Sequence, residues 1–247
     1  QWQTLRAYAR GRDVLLFGDI PIFIAQDSAD VWANRHLFKL DERGEPTVVA
    51  GVPPDYFSES GQRWGNPHYN WDLMIEQDFA WWRRRIATVL HLFDRVRIDH
   101  FRGLVALWEI PLDSEDGRNG EWVPTPGREL LKALQEDFPS MPFIAEDLGV
   151  ITPEVIALRD EFGLPGMSVL HFGFEGNGEN PHSIENQRYN TVVYTGTHDN
   201  DTTLGWFRSL DSTMQDKVLQ ELPSDVGPMP WPLIVAGLQS PAQMAII

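Results

Sequence analysis

Short apolar runs alternate with helical patterns along the whole chain, and these runs are apolar on both sides. "DVLLFGDIPIFIA" (13–25), "RVRIDHF" (95–101), "PFIAEDLG" (142–149), "GMSVLHFGF" (166–174) and "TVVYTGTHD" (191–199) are rich in β-branched and aromatic residues and read as strands. Between them, residues 79–93 place Phe79, Trp82, Ile86, Val89, Leu90 and Phe93 on one helical stripe. Thr125-Pro126 and Thr152-Pro153 read as N-caps with Pro at the first helical position. A strand with no polar face must be covered on both sides, which predicts parallel strands with helical crossovers. A doubly wound sheet and a (β/α)8 TIM barrel both satisfy that pattern.

The position of the acids separates the two. Asp99, Glu146 and Asp199 close three of the strand runs, and Asp19 follows Gly18 within the first. Carboxylates at the C-terminal ends of different strands suit a barrel, because those ends converge on one mouth. A doubly wound sheet more typically carries a Gly-rich phosphate loop after its first strand, and "GFEGNG" (173–178) has the wrong spacing. The expected fold is therefore a (β/α)8 barrel.

Composition narrows the chemistry. A net charge of −16 over 247 residues argues against nucleic acid and anionic membranes as partners, since phosphate binding needs clustered Lys and Arg. Arg83 to Arg85 lie in a helical pattern and read as a solvated face. There is no cysteine, hence no disulfide framework and no thiolate metal site; an intracellular, cytoplasmic setting is expected. Ten tryptophans offer flat faces suited to sugar rings, although most are expected to pack in the core.

Arg97 and Asp99 stand at i and i+2 of one strand and so point the same way. A guanidinium beside a carboxylate favours its ionised form, which suits a nucleophile; the alternative is a purely structural ion pair. Glu146, followed by the like charge of Asp147, is expected to be raised in pKa by burial among carboxylates and to serve as proton donor. One ionised and one protonated carboxyl group can cleave a glycosidic bond. Asp199 can accept hydrogen bonds from ring hydroxyls, or simply cap the turn after its strand. Residues 41–75 read as an inserted active-site loop region. In it "GVPPDYFSESGQRWGNPHYNW" (51–71) offers Tyr56, Phe57, Trp64, Tyr69 and Trp71 for stacking and Gln62, Asn66 and His68 for hydrogen bonding. His198-Asp199 as a metal pair, "DSEDGRNGE" (113–121) as a calcium loop, "GMSVL" as a nucleophile elbow and "NDT" (200–202) as a glycosylation site are each rejected on spacing or context.

"GDIPIFIAQDSADVW", "VVAGVPPDYFSESGQRWGNP", "RIDHFRGL", "FIAEDLG" and "GTHDND", in that order, closely resemble the amylomaltase family, the 4-α-glucanotransferases (disproportionating enzymes) of the α-amylase clan. The resemblance implies a (β/α)8 barrel acting on α-1,4-glucans without metal or cofactor. It gives Asp99 as nucleophile, Glu146 as acid/base and Asp199 as transition-state stabiliser, with Asp19, Arg97 and His198 on the sugar. Trp64 falls in the family's loop over the site, which helps a sugar acceptor compete with water. The implied location is the cytoplasm, or a plastid in a plant. An α-glucan hydrolase and a non-catalytic glucan-binding scaffold are the competing readings. Against the family, residues 1–247 are expected to be a catalytic piece running from the third to the eighth strand. The first strands and the C-terminal end would be missing, and such a piece alone is expected to be poorly soluble or inactive.

Overall fold

A computed structural model describes residues 1–55, 58–176 and 178–247. It divides into two compact units, Gln1–Leu164 and Pro165–Ile247. The strands are β1 (Phe17–Pro21), β2 (Val48–Val52), β3 (Gln62–Pro67), β4 (Arg95–Asp99), β5 (Ala106–Pro111), β6 (Glu121–Pro124), β7 (Phe143–Ala145), β8 (Gly166–Val169), β9 (Thr191–Tyr194) and β10 (Met244–Ile246).

In the first unit β1, β4 and β7 form a parallel sheet in that order. Ile20, Val96, Ile98, Phe143 and Ala145 give it one buried apolar face, while Asp19, Arg97 and Asp99 alternate onto the other, where Ile144 is also buried. One cover is the helix Ala80–Leu92, which buries Trp81, Trp82 and Ile86; another is Gly127–Asp137, which buries Leu130, Leu131 and Leu134. These helices belong to one apolar cluster with that face of the strands, as helical crossovers between parallel strands require. In the second unit β8, β9 and β10 are again parallel, with β9 central. Strand–helix alternation with parallel neighbours is the pattern expected from the sequence.

Several local expectations are corrected. Arg83 to Arg85 are not a solvated face. Arg83 bridges Asp78, Glu136 and Asp137, and only Arg84 is exposed. Arg85 lies over the rings of Trp81 and Trp82 and donates to Pro21 O at 2.6 Å, because the helix buries a broader face than one stripe. The helix after Thr125 begins at Gly127 with Pro126 as its cap residue, while the Thr125 hydroxyl donates to Gly103 O. Thr152 does hold the N-cap position, with Pro153 in the first turn.

Residues 41–75 are also more regular than their Pro, Gly and aromatic content suggests. They supply β2 and β3 to a four-stranded antiparallel sheet ordered β3-β2-β5-β6. Gly51 permits this, for a Cβ there would collide with the main-chain oxygen of Gln62 on β3 and with Ile110. Close strand approach at a residue without a side chain is a signal that composition hides.

Candidate active site

The site is built on the C-terminal ends of β1, β4 and β7. Register places Asp19 of β1 directly opposite Arg97 of β4, and Ile98 opposite Ala145 of β7. Arg97 is buried, and its guanidinium grips Asp19 with two parallel bonds, Nε to Oδ1 at 2.9 Å and Nη2 to Oδ2 at 2.5 Å. The same Nη2 stands 3.2 Å from Asp99 Oδ1. A bidentate fork on one carboxylate and a single contact to the next is a geometry that guanidinium, not ammonium, can make. Both carboxylates remain reachable, their side chains 44% and 42% exposed. Burial works against the charge on Arg97, but the hydrogen bonds and charge of Asp19, with Asp99 and Glu146 behind it, outweigh burial and hold its pKa above the ordinary value.

Glu146 follows the last residue of β7. Its N–H donates to Ile98 O, and its carbonyl accepts from Phe101 N–H, both at 3.0 Å, so its main chain stays stitched to β4. Its carboxyl group accepts from two peptide N–H groups, His100 to Oε2 at 2.6 Å and Leu148 to Oε1 at 3.0 Å. Burial, followed by the negative charge of Asp99, nevertheless pushes Glu146 up to about 7. The expectation that Asp147 contributes is corrected. Asp147 pairs with Arg159 Nη1 at 2.5 Å, so the second like charge comes from Asp99.

Trp64 lies on β3, 38% exposed, with its indole N–H donated to Gln62 Oε1 at 3.0 Å. Its ring meets the ring of His100 edge-on, centroids 5.0 Å apart, and that of Phe23 at 6.0 Å. The first unit therefore brings Asp19, Arg97, Asp99 and Glu146 together, with Trp64 joined to them through His100. Two other residues of the 51–71 stretch do not offer what was expected. Tyr69 is fully buried and donates to Ile22 O. His68 is buried beside Glu109 and pulled down to about 4, first of all by burial. Tyr56 and Phe57 lie outside the described residues.

His100 and Phe23 were not singled out from the sequence. His100 has a left-handed φ of 54° at the turn where its N–H meets Glu146. A His following a strand-end Asp is the one available signal, because His tolerates that region better than most residues.

In the second unit, His198 and Asp199 lie past the end of β9, in the turn before the helix Thr203–Ser209. Asn200 caps this turn, accepting from Thr197 N–H at 2.8 Å and from the Thr197 hydroxyl at 3.0 Å. The capping role considered for Asp199 thus belongs to its neighbour, and the Asp199 side chain stays 74% exposed, 3.5 Å from His198 Nε2. Among the described residues no group of three or more His, Cys, Asp or Glu is placed to hold a metal ion, and no helix is long and apolar enough to cross a membrane.

A family model described as 4-alpha-glucanotransferase matches residues 1–247. The 4-alpha-glucanotransferase of Thermus thermophilus is 52% identical over 100% of this chain and 51% of its own length. That of Synechocystis sp. is 51% identical over 100% and 50%. The chloroplastic/amyloplastic 4-alpha-glucanotransferase of Arabidopsis thaliana is 45% identical over 100% and 43%. The chain thus spans about half the length of the curated relatives it matches. Among solved structures, amylomaltase from Streptococcus agalactiae in complex with acarbose superposes with a TM-score of 0.94 at 38% identity, covering 99% of this chain and 50% of that one. Amylomaltase from Corynebacterium glutamicum, at 18% identity, shares the fold with a TM-score of 0.80 over 100% of this chain and 40% of its own. The fold is a partial (β/α) barrel.

Proposed function

The chain belongs to the 4-alpha-glucanotransferase family, and on that footing we propose that it carries the catalytic part of an enzyme that moves α-1,4-glucan segments between sugars with retention. One observation carries this reading: Arg97 tethers Asp99 beside a Glu146 whose proton affinity is raised to about neutral pH. Asp99 attacks the anomeric carbon of the donor. The bond to the leaving 4-oxygen breaks as Glu146 gives that oxygen its proton, leaving a covalent glycosyl ester on Asp99. Glu146, now a carboxylate, takes the proton from the 4-hydroxyl of an incoming glucan or glucose. That oxygen attacks the same carbon and Asp99 departs.

Asp199 takes the transition-state role, accepting hydrogen bonds from ring hydroxyls that strengthen as oxocarbenium character develops. Asp19, Arg97 and His198 contact the sugars. Trp64, on an insertion formed by residues 41–75, disfavours water as acceptor. No metal or cofactor enters this scheme. The substrates are α-1,4-glucans and maltooligosaccharides, which agrees with the acarbose complex of the Streptococcus agalactiae relative. The setting is the cytoplasm, or a plastid in a plant, as for the chloroplastic Arabidopsis relative.

Incubating the full-length protein with maltotriose tests the proposal. Transfer yields glucose and longer oligomers, whereas maltose and glucose in equal amounts identify a hydrolase. Asp99→Asn and Glu146→Gln should each lower turnover by several orders of magnitude with glucan binding kept. Wild-type turnover in either variant reassigns the roles.

A further inference from the structure

Beneath the turn that carries His198 and Asp199 lies a buried histidine with no place in the scheme above. His171 follows β8, and its main-chain N–H donates to Thr195 O at 3.3 Å, one step past the pairing of Val169 with Tyr194. Its ring is 5% exposed and stacks on Trp206, centroids 4.4 Å apart and planes inclined by 10°. Nε2 stands 3.2 Å from the Thr203 hydroxyl, in the first turn of the helix that leaves the turn.

The ring also abuts Gly196, where the turn begins. A Cβ on Gly196 would lie 2.6 Å from His171 Cε1 and 2.9 Å from Nδ1. Gly196 does not have a positive φ, so proximity to the imidazole, not backbone conformation, is what excludes a side chain there. Nδ1 is buried without a hydrogen-bond partner among the described residues, so on that side the ring acts by filling space. Burial pulls His171 down to about 4 against the opposing charge of Asp201, so the ring adds no charge beneath Asp199 at neutral pH.

One imidazole thus touches both ends of the segment 196–203, which is otherwise braced internally by the Thr197–Asn200 bonds. We propose that His171 is a positioning residue, whose ring sets the direction of the Gly196–Thr203 turn and with it the aim of the Asp199 carboxylate. This rests on the transition-state role given to Asp199.

The test compares Gly196→Ala, His171→Ala, the double variant, His171→Gln and Asp199→Asn in the full-length protein, turning over maltotriose. A displaced transition-state contact lowers kcat and spares KM. Each of the first two variants should therefore lose about 10- to 100-fold in kcat, the scale of an ångström misplacement. The double variant should be no worse than His171→Ala, because the ring that the new methyl meets is gone. His171→Gln, whose amide can still reach Thr203, should recover part of the loss; it carries the test if the alanine variants fail to fold. Low turnover in Asp199→Asn with wild-type kcat in His171→Ala, or losses that multiply in the double variant, overturns the positioning role alone. Wild-type turnover in Asp199→Asn overturns the role of Asp199 and the inference built on it.

Discussion

The peptide N–H of His100 donates to Glu146 Oε2 at 2.6 Å, so the residue after Asp99 holds the carboxyl group with which Asp99 competes for protons. Two forces act on Glu146 in opposite directions. Burial and the Asp99 charge raise its pKa, while the N–H groups of Leu148 and His100 and the charge of Arg97 lower it. The balance near 7 is where an acid that must later act as a base works best.

The pH dependence of turnover follows from that balance. Breaking the donor bond needs Glu146 protonated, so kcat/KM for maltotriose should fall as pH rises through about 7. Stopped-assay rates from pH 5 to 9 will show an alkaline limb there. A limb placed a full unit or more below would contradict the electrostatics described for this carboxyl group.

Stability should carry the same signature. Glu146 has its folded pKa raised from 4.5 to about 7, so its contribution is fully present below 4.5 and is lost as pH rises toward 7. Glu146→Gln does not titrate. Between pH 5 and 7 its stability relative to wild type should therefore improve by about 2 kcal/mol, less than two full units at about 1.4 kcal/mol each because Glu146 is only half ionised in the folded protein at pH 7. Urea melts at the two pH values measure this difference directly, whatever the absolute cost of the substitution.

Arg97 is expected to be irreplaceable by lysine. An ammonium can reach one carboxylate but cannot fork onto Asp19 while touching Asp99. Arg97→Lys should lower kcat by about 100-fold through misplaced carboxylates. Arg97→Met also removes a charge that lowers the Glu146 pKa, so its alkaline limb should move to higher pH. Rate profiles of the two variants separate geometry from charge.

The β2–β3 pairing depends on Gly51. A methyl group there meets main-chain oxygen, which cannot swing aside as a side chain would, and Gly51→Ala should destabilise by about 3 kcal/mol. Because β3 bears Trp64, the variant's product mixture should also shift toward maltose and glucose. Thermal melts and product chromatography read the two effects separately.

Arg97 and Asp99 could be placed on one side of one strand without coordinates, and Glu146 at the end of another, because side-chain direction repeats with a period fixed by backbone geometry. The alternation of apolar strand runs with helical patterns was enough to call for parallel pairing under helices, and five motifs in order were enough to suggest the family. The partners were another matter. That Arg97 clasps Asp19 before Asp99, that Asp99 and not Asp147 raises Glu146, and that residues 41–75 pair as strands were decided by register between segments far apart in the chain. The docking of Arg85 over two tryptophans and the burial of His68 and His171 are of the same kind. Local geometry is written in each stretch of residues, whereas burial and register belong to two stretches at once and exist only after they meet.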